Sequence, residues 1–243
     1  MIGNDTECAV LASAMGLSKR YGRITAIRDV SFTIRSGEIV GLIGPNGAGK
    51  TTLFECFAGV QPFDSGTVSF SEASGRVSTV FYVPDGIAPW PQQSVKWVLQ
   101  YTLGFFGGRT EIYDDVVRDL RLEPLLQTRI GALSKGQRKR VLLAIGLLSP
   151  QVLVAIDEPF EGLDLRQSRE VEQILRKHVA TGRTLFLSIH QIADAGRICD
   201  RFVLLSDGSV VAEGTLEELT ALAASRVGKL ANRDFEEIFL ALT

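Results

Sequence analysis

The glycine-rich segment Gly44–Thr52 contains the residue types and spacing that most clearly point to chemistry. It matches the pattern G-x-x-x-x-G-K-[ST] of loops that hold nucleotide phosphates. The apolar run Ile39–Ile43 precedes it and the helix-forming stretch Thr51–Phe57 follows, so backbone N–H groups would converge on an anion. Lys50 would reach the β- and γ-phosphates, and the Thr51 hydroxyl would bind Mg²⁺. The predicted phosphate site comprises Gly44, Pro45, Asn46, Gly47, Ala48, Gly49, Lys50, Thr51 and Thr52.

Two acidic residues, Asp157 and Glu158, follow a second apolar run, Val152–Ile156. An acidic residue at the carboxyl end of a buried strand beside a phosphate loop commonly anchors Mg²⁺, and we assign that role to Asp157. Because successive side chains of a strand point to opposite faces, Glu158 is aimed elsewhere. Its carboxylate could accept a proton from the water that attacks the γ-phosphate. Without the phosphate loop, such a pair would more often be a solvated turn.

A second anion site is predicted where the helical run Arg138–Leu148 begins. It is preceded by Leu133–Gln137, in which Ser134 is a good N-cap residue and Gly136 lets the backbone approach a ligand. The free N–H groups of a helix N-terminus bind anions. The basic residues 138–140 oppose the helix dipole there, so either a nearby polyphosphate compensates them or they form a solvated basic face.

The elements that must position these residues alternate between strands and helices. Val30–Ile34 alternates apolar and polar residues like a half-buried strand. Leu185–Ile189 and Phe202–Leu205 are nearly continuous apolar runs, which suit parallel strands covered on both faces. Helices are predicted over 134–148 and 165–179, which indicates an α/β core.

Residues 86–133 interrupt this alternation and predict an inserted helical lobe. Trp97, Tyr101 and Phe105 are four residues apart, and they form either the core of the lobe or an exposed groove for a partner protein. In the tail, 215–218 reads as a capping box. An apolar stripe follows that would dock on the body of the protein or contact a partner, and it contains Phe235, Ile238, Phe239 and Leu242.

The composition limits the class of protein. The chain has 243 residues, of which 45% are hydrophobic, and a net charge of −2, so no basic surface for nucleic acid is expected. Cys8, Cys56 and Cys199 are widely spaced and indicate neither a zinc site nor a disulfide framework, in keeping with a reducing cytosol. No apolar run approaches the roughly 18 residues that span a bilayer, so we expect any role at a membrane to come through a partner.

Together these motifs resemble those of ABC-type ATPases in order and spacing. The resemblance rests on Gly44–Thr52, Leu133–Gln137, Val152–Glu158, Gly162–Asp164 and His190, and it covers the chain from about Leu11 to Leu242. It implies an α/β fold: a P-loop NTPase core with a mainly parallel sheet, an antiparallel β part near the N-terminus and an inserted helical lobe. The chain would form one domain, 1–243, with the core in 1–85 and 134–243 and the lobe in about 86–133.

The resemblance also implies roles for individual residues. Tyr21 would stack on adenine, and Ile24 and Ala26 would line the base and ribose. His190 would contact the γ-phosphate as the family's switch histidine, and Asp164 would link the two halves of a dimer. The signature residues Ser134, Lys135, Gly136 and Gln137 would bind the γ-phosphate of ATP held by a second copy of the domain.

Two residues depart from the family's pattern. Asp85 stands where the family commonly has glutamine; aspartate is shorter and charged, and it would hold Mg²⁺ through a water. Lys135 replaces the more frequent glycine of the signature. We expect that site to remain active because Ser134 and Gly136 are retained.

The resemblance therefore implies an ATP-hydrolysing subunit of an ABC transporter that uses ATP and Mg²⁺. It would pair with a second ATPase subunit, identical or paralogous, and with an integral membrane subunit at the inner face of the cell membrane. Tyr82–Gly86 and Phe235–Thr243 are similar to export-type subunits. The alternatives are a soluble ABC-type ATPase that acts on ribosomes or DNA and a regulatory module that holds ATP without turnover. The first usually carries two cassettes, long coiled coils or zinc insertions, which this sequence lacks.

Overall fold

The computed structural model of the protein describes residues 9–71, 80–108, 110–227 and 235–243. Cys8 lies outside these ranges, while Cys56 and Cys199 are buried free thiols. The strands are β1 Val10–Tyr21, β2 Ile24–Arg35, β3 Ile39–Ile43, β4 Ser65–Phe70, β5 Val80–Val83, β6 Leu153–Asp157, β7 Thr184–Ile189, β8 Arg201–Ser206 and β9 Ser209–Gly214. The helices are α1 Lys50–Phe57, α2 Val95–Phe106, α3 Thr110–Asp119, α4 Lys135–Leu148, α5 Leu165–Ala180, α6 Ile192–Ile198, α7 Leu216–Val227 and α8 Phe235–Leu242.

The strands form two sheets. The larger has the order β5-β6-β7-β3-β8-β9, and its pairs are parallel except for the antiparallel pair β8–β9. The smaller sheet, β2-β1-β4, is antiparallel. The predicted fold class is therefore confirmed. Because β6, β7 and β3 are adjacent and parallel, their carboxyl ends meet at one edge of the sheet.

The core lies on both faces of the larger sheet, as continuous apolar strands require. In β3, Ile39 and Ile43 belong to an apolar cluster shared with the helices, whereas Val40 and Leu42 belong to a second cluster shared with β1, β2 and α1. Every residue of β3 is buried. Burial on both faces fixes the position of the strand, and therefore of the loop that leaves it at Gly44.

Helices α2 and α3 lie between β5 and α4, in the segment predicted to be helical. Of the two alternatives for the aromatic residues, the core of the lobe is wrong, because Trp97, Tyr101 and Phe105 are 40%, 46% and 71% exposed. Helix α2 turns its aliphatic residues inward instead. The buried side chains of the lobe include Val95, Val98, Leu99, Val116, Val117 and Leu120.

The C-terminal predictions are confirmed. Thr215 and Glu218 form the capping box through their side chains and backbone N–H groups. The stripe of α8 docks on the body of the protein, where the ring of Phe235 lies 4.4 Å from that of Phe202. Within the described ranges, no helix combines the length and apolar content that a membrane span requires.

Candidate functional site

The loop after β3 is shaped by close backbone approaches. A Cβ on Gly44 would lie 2.4 Å from the carbonyl oxygen of Leu205, so only glycine fits there. Gly49 has φ of 100° and would place a Cβ 2.4 Å from the carbonyl oxygen of Ala26. Gly49 is also the N-cap of α1 and has no side chain to bond the first-turn N–H groups. These groups are therefore left for an anion.

The Lys50 ammonium is buried inside this loop. Its Nζ donates to the carbonyl oxygens of Gly44, at 2.8 Å, and Pro45, at 3.3 Å. The N–H of Ala48 also donates to the Pro45 carbonyl, at 3.1 Å. The loop backbone therefore surrounds the Lys50 side chain. The positive charge of its ammonium lies where the sequence predicts the phosphates to bind.

A cavity of about 510 Å³, here called the nucleotide cavity, opens beside the loop. It contains the catalytic candidates together with most of the loop residues. The Tyr21 side chain lies outside this wall, and its hydroxyl donates to Oε1 of Gln61 at 3.3 Å, so its stacking role stays a prediction. The lining residues are Ile24, Thr25, Ala26, Asn46, Gly47, Gly49, Lys50, Thr51, Thr52, Asp85, Asp157, Glu158, Glu161 and His190.

Thr51 and Asp157 meet in this cavity although they are 106 positions apart. The Thr51 hydroxyl donates to Oδ2 of Asp157 at 3.0 Å, and the Ser188 hydroxyl donates to Oδ1. Asp157 is the last residue of β6 and is only 4% exposed. This set of hydroxyl and carboxylate oxygens fits Mg²⁺, which prefers oxygen ligands. Sequence reasoning missed Ser188, whose signal was a polar residue within an apolar strand two positions before His190.

The Glu158 side chain contacts His190, the residue that follows β7. Its Oε2 lies 2.6 Å from Nδ1 of His190. Glu158 has φ of 50°, and its N–H bonds to the carbonyl and hydroxyl oxygens of Ser188, which hold this turn. Burial raises the pKa of Glu158, although the hydrogen bond and charge of His190 lower it. A raised pKa makes the carboxylate a stronger proton acceptor.

Asp85 reaches the nucleotide cavity from the turn after β5, and its carboxylate is already paired. Lys139 Nζ lies 2.5 Å from Oδ1 of Asp85 and 3.3 Å from the carbonyl oxygen of Asp157. Burial raises the pKa of Asp85, but the hydrogen bond and charge of Lys139, together with hydrogen bonds from Glu161 and the Gly86 backbone, lower it below its ordinary value.

Lys139 corrects the expectation for residues 138–140, because its side chain is 3% exposed and therefore not part of a solvated basic face. Its negative partner is Asp85, a residue of its own chain. Helical spacing carried the signal that was missed: Lys139 lies three and four positions before Leu142 and Leu143, on the buried face of α4.

The signature residues lie in a different cavity. Ser134 caps α4, and Gln137 completes a capping box with it. Asp164 caps α5 by accepting from the N–H of Gln167 at 2.8 Å, and its side chain remains exposed. Among the described residues, none lines both cavities. The second, here called the signature cavity, is lined by Arg121, Pro124, Leu125, Ser134, Lys135, Gly136, Gln137, Arg140, Gly162 and Gln167.

A mainly parallel sheet with this loop at the end of a central strand defines the class of phosphate-loop nucleoside triphosphatases. The family model for ABC transporters matches residues 27–161. The Nod factor export ATP-binding protein I of Burkholderia lata is 32% identical over 222 residues, covering 87% of this chain and 72% of the relative. Its counterpart in Rhizobium sp. (strain N33) is 33% identical, covering 82% and 69%.

Solved structures agree with this assignment. An ATP-binding subunit of an ABC transporter superposes with a TM-score of 0.83 at 28% identity, covering 96% of this chain and 99% of that one. A dimeric ATP-binding cassette bound to ADP and phosphate gives 0.74 at 22% identity, covering 84% and 98%, which shows the shared fold. The chain therefore belongs to the ABC transporter family, as an ATP-binding subunit that hydrolyses ATP.

Proposed function

We propose that this ATPase powers transport through a membrane-spanning partner carried on another chain. Support for an export system comes from the two relatives at 32% and 33% identity, which are named as export proteins. The sequences of the segments 82–86 and 235–243 also resemble those of export-type subunits. The whole chain, 1–243, acts as one ATPase domain with a helical lobe at about 86–133, placed peripherally on the inner face of the cell membrane.

The observation that carries this proposal is the separation of the two phosphate-binding motifs. Lys50 lies in the nucleotide cavity and Ser134 in the signature cavity of the same chain. A second ATPase subunit, identical or paralogous, would bring its signature cavity against the nucleotide cavity. Two ATP molecules would then join the pair, and loss of the γ-phosphate contacts would release it. ATP binds the closed pair of subunits more tightly than the open pair. Binding and hydrolysis of ATP therefore drive closing and opening of the pair.

Within each nucleotide cavity, loop residues 44–52 bind the phosphates of ATP, and Ala26, Ile24 and Tyr21 contact its base and ribose. Mg²⁺ would be held by Thr51 and Asp157, with Asp85 as a further ligand, directly or through water; the ion supplies charge neutralisation for the phosphates. Glu158 accepts the proton of the attacking water. His190 contacts the γ-phosphate and orients Glu158 through their 2.6 Å contact.

The site for the membrane partner is an aromatic patch, defined as Trp90, Trp97, Tyr101 and Phe105. The rings of Trp97 and Tyr101 stack at 5.1 Å, and that of Trp90 packs edge-on at 5.3 Å from Tyr101. These rings rest on one another and remain 40–71% exposed. The patch follows Asp85 in sequence, so a movement of the partner would reach the nucleotide cavity through this turn.

The proposal is tested by affinity purification of the tagged chain from detergent-solubilised membranes of the source cells. Recovery of a polytopic membrane protein is expected, and Phe105→Glu reduces it at least tenfold because it places a charge in the patch. Leu240→Glu is the matched control, since Leu240 is 75% exposed on α8. Recovery of ribosomes or DNA in place of a membrane protein would overturn the transport proposal.

A further inference from the structure

Four carboxylates line the nucleotide cavity, and two of them are bound by lysines of the signature helix α4. The four are Asp85, Asp157, Glu158 and Glu161. Lys139 binds Asp85, and Lys135 binds Glu161. The triphosphate of ATP is strongly negative and is repelled by carboxylates. By pairing with Asp85 and Glu161, the two lysines reduce this repulsion in the cavity.

The two ion pairs differ in their surroundings. The Lys135 side chain is 59% exposed, and such surface pairs contribute little. The Lys139 side chain is 3% exposed, and Asp85 is 27% exposed. Loss of Asp85 would leave a buried ammonium with the Asp157 carbonyl oxygen but without a negative partner, whereas loss of Lys139 would leave a carboxylate that water still reaches. The pair therefore joins α4 to a residue that lines the nucleotide cavity.

Helix α4 thus links the two cavities. Its N-cap, Ser134, lines the signature cavity. Lys139, five positions or about 7.5 Å of helix rise further along, binds Asp85, which lines the nucleotide cavity. An ammonium and a divalent cation repel each other, so they compete for one carboxylate. A change at Asp85 is consequently felt by the helix that carries the signature.

We propose that Lys139 is a positioning residue whose ion pair with Asp85 is a latch between the nucleotide cavity and the signature helix. While the latch is closed, Asp85 is held by α4 and is not available to Mg²⁺ or its water shell. When the ion pair breaks, Asp85 becomes available as a ligand of Mg²⁺ or of its bound water. Helix α4 is then free to reposition the signature segment. This proposal assumes the Mg²⁺ site of the proposed function. The latch itself consists of one ion pair within a single chain, between Asp85 and Lys139.

The test is a Mg²⁺ titration of ATP binding by calorimetry, with Glu158→Gln as the common background to prevent turnover. Lys139→Gln frees Asp85, so the Mg²⁺ concentration for half-maximal enhancement of ATP binding falls about fivefold or more. The same substitution in an Asp85→Gln background produces no such shift. A purely structural role for Lys139 would instead weaken ATP binding equally with Mg²⁺ and with EDTA, and would overturn the latch.

A second, metal-free readout is thermal melting in EDTA. Asp85→Gln lowers the melting temperature more than the double variant Asp85→Gln/Lys139→Gln, because only the single variant strands the buried ammonium. Additive effects would contradict the pairing. If Lys139→Gln does not fold, Lys139→Met gives the same two tests, and the double variant remains available.

Lys177→Gln is the matched control, since it removes a surface pair with Asp119 far from α4's N-terminus in sequence. It leaves the Mg²⁺ titration unchanged. The outcomes also separate the two proposals. Failure of the background protein to bind ATP in any condition removes the nucleotide site itself, whereas ATP binding with an unshifted Mg²⁺ requirement in Lys139→Gln removes only the latch.

Discussion

At the scale of single residues, Glu158 combines three features that suit a proton acceptor. Its backbone is in the left-handed region, a conformation that costs a non-glycine residue about 1–3 kcal/mol. Two hydrogen bonds from its N–H to Ser188 hold it there. Its side chain is half-buried against His190, and this burial raises its pKa. The strained turn therefore aims a basic carboxylate into the nucleotide cavity.

We expect Glu158→Gln to lower ATP hydrolysis by about 10²–10⁴-fold, because an amide cannot accept the proton. ATP binding survives, since the phosphate loop is intact. Steady-state phosphate release and calorimetry measure the two effects. Glu161→Gln is the control within the same cavity and retains most of the rate. Near-normal turnover by Glu158→Gln would remove Glu158 from the role.

The raised pKa of Glu158 also predicts how the stability difference between Glu158→Gln and the parent protein changes with pH. The folded protein holds this proton to a higher pH than the unfolded chain, so stability is lost as pH rises through the raised pKa. Glu158→Gln therefore melts at a higher temperature than the parent at pH 7, and the difference shrinks as pH falls toward 4.5. An equal difference at both pH values, measured by thermal melting, would contradict the burial effect.

At the scale of elements, short helices are positioned by a few apolar contacts. Helix α8 has only eight residues, too few to be stable alone. It buries Phe235, Ile238 and Leu242, and Phe235 packs on Phe202 of β8. Sequence periodicity predicted this buried face because a docked helix must present its apolar residues at i, i+3, i+4 and i+7.

Phe235→Ala is expected to lower the free energy of unfolding by about 3 kcal/mol, since it leaves a cavity against Phe202. Urea denaturation followed by circular dichroism measures it. Leu240→Ala, on the exposed side of the same helix, changes it by less than about 0.5 kcal/mol. Equal effects of the two substitutions would show that α8 does not dock through Phe235.

At the scale of the whole molecule, the site is produced by the order of the strands. The phosphate loop, Glu158 and His190 leave β3, β6 and β7, which are neighbours in the sheet, so the three segments meet at one edge. The signature segment lies at the N-terminus of α4 and lines the other cavity. The proposed catalytic unit therefore needs two chains.

Ser134→Arg is expected to block ATP-driven dimerisation, because a long cation would occupy the signature cavity. Sedimentation velocity in the Glu158→Gln background, with and without ATP, measures the association. Ser225→Arg introduces the same charge on the exposed face of α7 and leaves ATP-dependent dimerisation intact. A Ser134→Arg protein that still dimerises with ATP would contradict the two-chain site. Circular dichroism checks that α4 survives the loss of its cap.

The sequence by itself determined the features that depend on local spacing. The bounds of β3, the phosphate loop and the Ser134 cap follow from neighbouring residues, because turn geometry, capping and strand burial act over a few positions. The α/β core followed from the alternation of these elements, and the P-loop NTPase fold from the resemblance of the motifs to a known family. The roles of the predicted site residues stay predictions, although the structure brings Lys50, Thr51, Asp157, Glu158 and His190 into one cavity.

Only the tertiary structure decided which side chains meet across the chain. Lys139 and Asp85 are 54 positions apart, and nothing in the local pattern of either residue indicates the other. The exposure of Trp97 and Phe105 likewise depended on which face of α2 the core of the lobe could cover. Periodicity shows that a helix has two faces, but packing against other elements decides which face is buried.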